Sequence, residues 1–391
     1  MKLPVYLDNH ATTRVDPRVI DVMVPLMSEG YGNAASRQHE FGWKAEAEVE
    51  RARASVASLV GARPEEIIFT SGATESINLA LKGLAEVRQS PGSHIITAAT
   101  EHRAVLDACA HLERMGFKVT ILSVDREGLV SPEDVRKAIS ATTILVSIMT
   151  ANNEIGTIGP VVEIGAICRE RGVAFHTDAT QAAGKIPIDV DAMHVDLLSL
   201  SAHKMYGPKG VGALYVRTSG HSLKIEPQMD GGGHERGLRS GTLNVPGIAG
   251  FGKAASLAAT EMRFESRQIG VLRDRLVEGL AAAIDGLRVN GDPTRRLPHN
   301  ANVTIPGVKA DALMMAMKDI AVSSGSACSS ALPEPSHVLR AIGLGREDVL
   351  SSLRFGLGRF TTEEEIEYAV RRVAESAATL REGHRQMQFA H

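Results

Sequence analysis

From about Glu65 the chain alternates short β-rich runs with amphipathic helical stretches, and this alternation limits its possible folds more than any other feature. The runs are Ile67-Ile68-Phe69, His94-Ile95-Ile96, Val119 to Leu122, Thr143 to Ile148, Val173 to His176, Leu197 to Leu200 and Gly212 to Val216. Helical stretches pass through Leu79 and Leu81, from Val105 to Met115 and from Val161 to Arg171. Strand and helix repeats of this kind specify βαβ units and a mostly parallel sheet covered by helices on both faces. Ligands of such sheets sit beyond the carboxyl ends of the strands, so strand-end residues carry the functional reading. A long helical stretch from roughly Gly247 to Ile284 leads into a C-terminal α+β unit, on which the residues around Tyr6 and Leu7 are expected to pack.

The 391 residues suffice for a large domain and a smaller one. A formal net charge of −3, with no basic tract or acidic tail, lends no support to nucleic-acid or membrane-surface binding. The N-terminus reaches Asp8 too soon for a signal peptide, and no run approaches the ~20 apolar residues of a membrane span. A cytoplasmic protein is expected. Cys109, Cys168 and Cys328 are widely spaced without a CxxC pair, which argues against a disulfide framework and against a cysteine metal site. A reducing compartment would leave a working thiol free.

Two strand ends carry the strongest chemical signal. Lys204 follows the apolar run Leu197 to Leu200, and Asp178 ends the run before it. A lysine amine can hold pyridoxal phosphate as a Schiff base, and an aspartate can keep the pyridine nitrogen protonated so that the ring accepts electrons from a carbanion. A surface lysine is the alternative for Lys204, but the Gly207-Pro208-Lys209-Gly210 loop behind it favours the strand-end site; Asp178 taken alone fits a helix N-cap as well. Thr70-Ser71-Gly72-Ala73-Thr74-Glu75 reads as strand, small-residue turn and helix start, which fits a phosphate cradle or a plain N-cap equally. Ser201 and His203 can donate to phosphate. Gln181, one turn past Asp178, can reach a phenolic oxygen, and Asn153 can donate to a ring oxygen. His102, at another strand end, can stack on a ring and exchange protons.

Cys328 has Gly325, Ser326, Ala327, Ser329 and Ser330 around it, so nothing bulky shields it. An ordinary thiol pKa of about 8.5 leaves a few per cent thiolate at neutral pH, and a nearby base or positive charge would raise its reactivity. Cys109 and Cys168 fall within amphipathic stretches and read as inert small hydrophobes. Arg354 lies in an otherwise apolar run and needs a partner, either a substrate carboxylate or an internal acid. Gly231-Gly232-Gly233-His234-Glu235-Arg236-Gly237 lacks the strand and helix frame of a dinucleotide fingerprint and reads as a loop that approaches a ligand or another subunit.

Taken in order, several stretches resemble the pyridoxal-phosphate cysteine desulfurases of the NifS/IscS type, in the class V branch of fold-type I aminotransferase-like enzymes. They are Tyr6-Leu7-Asp8-Asn9 with Ala11-Thr12-Thr13, Thr70 to Glu75, Thr100-Glu101-His102, Asn152-Asn153-Glu154, Asp178 to Gln181, His203-Lys204, Gly231 to Gly241, Ser323 to Cys328 and Arg354 to Arg359. The resemblance runs from Tyr6 to about Leu380. It implies an α/β fold with a mostly parallel central sheet, a large cofactor-binding domain over residues 15–258, and a small α+β domain, residues 1–14 and 259–391, that carries the cysteine loop.

By this resemblance Lys204 carries pyridoxal 5'-phosphate, Asp178 holds the pyridinium, and His102 stacks on the ring and transfers protons. Gln181 and Asn153 contact ring and substrate. Ala73, Thr74, Ser201 and His203 bind phosphate, with Thr242 reaching in from the other subunit of a homodimer. Arg354 holds the carboxylate of L-cysteine, and Cys328 takes the sulfur as a persulfide for an acceptor such as an iron-sulfur scaffold, alanine being released. A selenocysteine lyase or a class V aminotransferase is the alternative, and a nucleotide-binding or sulfur-relay protein a more distant one. Pro333 and Pro335 resemble the subgroup with a long cysteine loop, which favours delivery to protein acceptors. Relatives usually continue past the equivalent of His391 with a tail that docks the scaffold, so docking in that manner is not expected. Ala202 stands where a glycine is usual, and Asn9-His10-Ala11 differs mildly from relatives.

Overall fold

A computed structural model describes residues 2–90, 92–218, 223–324 and 335–389, with side chains as far as residue 383. Its main sheet has seven strands in the order Ile67–Thr70, Gly212–Val216, Leu197–Ser201, Ala174–Asp178, Thr143–Ser147, His94–Ala98 and Lys118–Leu122. The last five in that order pair in parallel, whereas Gly212–Val216 is antiparallel to both its neighbours. The mostly parallel sheet read from the sequence is therefore present, with one reversed strand that the pattern of runs does not reveal. Its cause is the short link: Ala202 to Val211 cannot form the helical crossover that a parallel return requires.

Helices cover both faces. Leu197 packs in one core with Ile77, Leu81 and Ile95, and Leu198 in the opposite one with Val49, Val56 and Phe175. Successive strand residues point to opposite faces, so a strand between two cores puts apolar residues on both, as Leu197 and Leu198 do. The long helix extends over Val245–Ala283; Asn244 caps it by accepting from Gly247 N, and Pro246 occupies its first turn. Phe251 and Ala254 belong to the core beneath the main sheet, whereas Ile269, Leu276 and Leu280 enter a separate one.

That second core is closed by a three-stranded antiparallel sheet, Ser352–Gly356 beside Asn300–Thr304 beside Arg288–Val289, and by the helix Glu363–Phe389. Val5 and Leu7 pack into it, and Val5–Tyr6 pairs in parallel with Ile320–Ala321. Two early helices, Pro17–Ser28 and Glu40–Val60, contact the long helix. Glu40–Val60 mixes Ala45, Ala52 and Ala57 with Val49 and Val56 on its buried face; a Cβ on Gly252 would meet the Ala52 Cα at 2.4 Å. Among the described residues no helix is long and apolar enough to cross a membrane.

Candidate active site

The carboxyl ends of the parallel strands open into a cavity of about 540 Å³. Ala73, Thr74, His102, Asn153, Asp178, Gln181, Ser201, His203, Lys204 and Arg354 all line it. Residues that the sequence scatters over almost three hundred positions thus meet at one place: most lie at or just beyond the ends of main-sheet strands, whereas Arg354 comes from the middle of the Ser352–Gly356 strand of the small sheet. Thr242 does not line the cavity; it is exposed just before the long helix. Cys328 lies outside the described residues, but Pro335, Ser336 and His337, which follow it in the chain, line the cavity.

At the start of Ala73–Val87, Gly72 is the N-cap and no side chain caps the helix, so the plain-cap reading of Ser71 or Thr74 does not apply. Backbone N–H groups of a first turn without a cap, at the positive end of the helix dipole, suit an anion. The neighbouring strand gives this turn room, since a Cβ on Gly212 would lie 2.6 Å from Gly72 Cα.

Asp178 is 6% exposed and accepts from Thr180 N through Oδ1 at 2.9 Å. Lys204 follows its strand in the short turn Ala202–Lys204, and its Nζ donates to the carbonyls of His10 and, at 2.9 Å, Ala11. His102 caps Arg103–Arg114, its Nδ1 accepting from Ala104 N at 3.1 Å, so a neutral ring carries its proton on Nε2. His203 pairs through Nδ1 with Thr12 Oγ1 at 3.1 Å; burial, reinforced by Lys204 and Lys209, pushes its pKa down to about 4 and keeps it neutral.

Of the two partners expected for Arg354, the structure supplies the internal acid. The Arg354 Nη2 binds Asp8 Oδ1 at 3.0 Å and its Nη1 donates to Asn153 O at 2.9 Å, yet its Nε is buried without an acceptor. An internal acid holds the guanidinium in place, and its Nε–H is left without an acceptor. Thr180 Oγ1, also at the cavity, is a second buried polar atom without a partner. Cys109 and Cys168 are buried, and burial pushes both thiols up to about 12, where they are inert at neutral pH.

The residues present fit pyridoxal phosphate. The helix start suits its phosphate, a buried carboxylate suits its ring nitrogen, an amine stands at the cavity wall, and the orphaned donors of Thr180 and Arg354 await acceptors.

Several cavity residues escaped the sequence reading. His10 is 1% exposed and stacks on His299 with ring centroids 4.3 Å apart, while its backbone and ring together grip Gln181. Glu154 is buried, and burial raises its pKa to about 7 against the opposing donation from Ser336 Oγ. Ser336 in turn caps His337–Ala341 by accepting from Leu339 N at 3.1 Å. Both His10 and Glu154 lie inside stretches singled out from the sequence, but a polar run at a strand end does not say which of its members faces inward.

Residues 5–369 match the class-V aminotransferase family. The chain is 58% identical over 382 residues to a protein named cysteine desulfurase IscS from Anaeromyxobacter dehalogenans, covering 98% of this chain and 94% of that one. It is 55% identical over 387 residues to the cysteine desulfurase IscS of Pseudomonas aeruginosa, covering 98% and 95%. Among solved structures, a NifS-like protein superposes with a TM-score of 0.89 at 40% identity, covering 96% of this chain and 99% of that one. A structure described as SspA in complex with cysteine does so with a TM-score of 0.81 at 38% identity, covering 92% and 100%.

Proposed function

The chain belongs to the cysteine desulfurases of the class-V aminotransferase family, and on that premise we propose how its own residues divide the work of taking sulfur from L-cysteine. The observation that carries the proposal is the meeting, in one cavity, of the Lys204 amine, the buried Asp178 carboxylate and the unsatisfied Nε of Arg354. Ala73, Thr74, Ser201 and His203 would hold the phosphate of pyridoxal 5'-phosphate, Asp178 its ring nitrogen, Gln181 and Asn153 its phenolic oxygen and the substrate, and Lys204 its aldehyde carbon. Bound there, the cofactor supplies an electron sink beside the substrate Cα.

Arg354 orients the substrate through its carboxylate, and the freed amine of Lys204 takes the Cα proton. His102, its Nδ1 committed to the Ala104 N–H, offers Nε2 for proton exchange. General acid-base help of this kind contributes roughly 10²- to 10⁴-fold per group. Cys328 as thiolate then attacks the substrate sulfur. A sulfur–sulfur bond forms as the carbon–sulfur bond breaks, the electron pair stays with the carbon, and protonation yields L-alanine. The persulfide on Cys328 passes to an acceptor protein, such as a scaffold in iron-sulfur cluster assembly.

We further propose a homodimer in which Thr242 completes the partner's phosphate site. Thr242 is exposed and does not line the cavity of its own chain. Val24, Met27, Tyr31 and Phe41 leave an apolar patch exposed, with the Tyr31 and Phe41 rings 5.3 Å apart, and such patches on soluble proteins mark interfaces. Met27→Glu with Tyr31→Glu is expected to give monomers in sedimentation velocity and to weaken cofactor retention; a dimer that survives both changes would place the interface elsewhere.

The founding test is the release of sulfide and alanine from L-cysteine by the purified protein with cofactor and reductant. Equal amounts are expected, and absence of both would overturn the reading. Arg354→Lys keeps the charge but loses the planar fork, so KM for L-cysteine is expected to rise about tenfold at unchanged cofactor occupancy. An unchanged KM would remove Arg354 from the substrate site.

A further inference from the structure

The side-chain amide of Gln181 is held by a chain of hydrogen bonds whose directions are determined from both ends. Arg296 has only donors to give. Its Nη1 donates to Ile155 O at 2.8 Å and to Asn300 Oδ1 at 2.9 Å. Asn300 must therefore turn its amide nitrogen the other way, where it donates to Glu154 O at 3.0 Å and faces His10 Nε2 at 3.0 Å. That makes Nε2 of His10 an acceptor. A neutral ring with a bare Nε2 carries its proton on Nδ1, which lies 2.9 Å from Gln181 Oε1.

The far end gives the same answer independently. Gln181 Nε2 donates to the His10 carbonyl at 3.1 Å, so Oε1 is the atom that faces the ring and must accept from it. A doubly protonated ring would set an Nε2 proton against the amide protons of Asn300. Burial at 1% exposure and stacking on His299 oppose that charge as well. Two glycines allow the chain its close approach: a Cβ on Gly156 would meet Asn300 Cγ at 2.5 Å, and one on Gly356 would meet His10 Cδ2 at 2.8 Å.

We propose that His10, held as the Nδ1–H tautomer by Asn300, is a positioning residue that fixes the flip of the Gln181 amide, so that the second Nε2 proton of Gln181, and not its carbonyl oxygen, is offered to the cavity. This rests on the reading of Gln181 as the donor to the cofactor's phenolic oxygen. A reversed amide would set Oε1 against that negatively charged oxygen and turn attraction into repulsion. Asn300 begins the middle strand of the three-stranded sheet, Arg296 lies just before it, and Gln181 lies just past a strand of the main sheet, so the relay carries the orientation across the two cores.

Long-range 1H–15N correlation spectra of the purified holoenzyme test the tautomer, with the resonances of His10 found by difference against His10→Asn. A neutral ring protonated on Nδ1 is expected, and one protonated on Nε2 overturns the inference whatever the cofactor does. The pH midpoint of the cofactor's visible absorbance band tests the consequence. A donor to the phenolic oxygen draws off charge that favours the protonated form, so His10→Leu and Gln181→Leu should each raise the midpoint by about one unit, the size of one charge-assisted hydrogen bond. The double variant should add little to either single change, because both act through one amide. His10→Asn, which restores an N–H donor near the place of Nδ1, should return the midpoint to within a few tenths of a unit of its original value, about the scatter expected between independent sites. A midpoint that moves in Gln181→Leu but not in His10→Leu overturns the inference alone; one that moves in neither overturns the reading of Gln181 beneath it.

Discussion

Lys204→Ala is expected to lower sulfide release from L-cysteine by about 10³- to 10⁴-fold, because one substitution removes both the attachment amine and the base at Cα. The amine of Lys204 is held at the cavity wall by two backbone carbonyls, those of His10 and Ala11. Lys209 also lines the cavity and is the natural competitor. Borohydride reduction followed by peptide mapping decides between them. The cofactor should be trapped on Lys204 in the native protein and on no lysine in the variant, while the phosphate cradle and Asp178 still retain it without a covalent bond. Label on Lys209, or activity within tenfold of the native protein, would refute the assignment.

The second large effect concerns sulfur itself. Cys328→Ala should bind cofactor and L-cysteine with the same spectral change as the native protein, yet lose persulfide formation and on the order of 10³-fold or more of its sulfide output, as expected for loss of a nucleophile. The change should be confined to this cysteine. Cys109 and Cys168 are buried among apolar side chains with thiols pushed up to about 12, so replacing both with alanine should leave persulfide formation intact. Mass spectrometry after a single turnover reads the added sulfur directly. Full sulfide output from Cys328→Ala would show that the sulfur leaves by another route.

Much of this protein is legible residue by residue. The strands of the main sheet occur where short β-rich runs occur, and the long helix starts within two residues of the position given by its periodicity, at Val245 where Gly247 was expected. The site residues read from strand ends line one cavity because an apolar strand that ends in a polar side chain must deliver that side chain to the end of the sheet. The early helices were harder to read, since the buried face of Glu40–Val60 interleaves Ala45, Ala52 and Ala57 with Val49, Val56 and the charged Arg53. The reversal of Gly212–Val216 was equally hidden, because a strand's own residues do not record the direction of its neighbour.

Periodicity, strand-end chemistry and the spacing of small residues belong to single segments, and for that reason the sequence by itself determined the α/β architecture and most of the strand-end groups that line the cavity. Pairings between distant segments belong to the folded chain alone. His10 meets Gln181 across 171 residues and Asn300 across 290, and Arg354 meets Asp8 across 346. Only the tertiary structure could decide that a histidine near the N-terminus lies against an amide at the site, that Arg354 pairs with Asp8 yet leaves its Nε without a partner, or that Glu154 faces Ser336. Each depends on distances of about 3 Å between atoms that no local pattern relates.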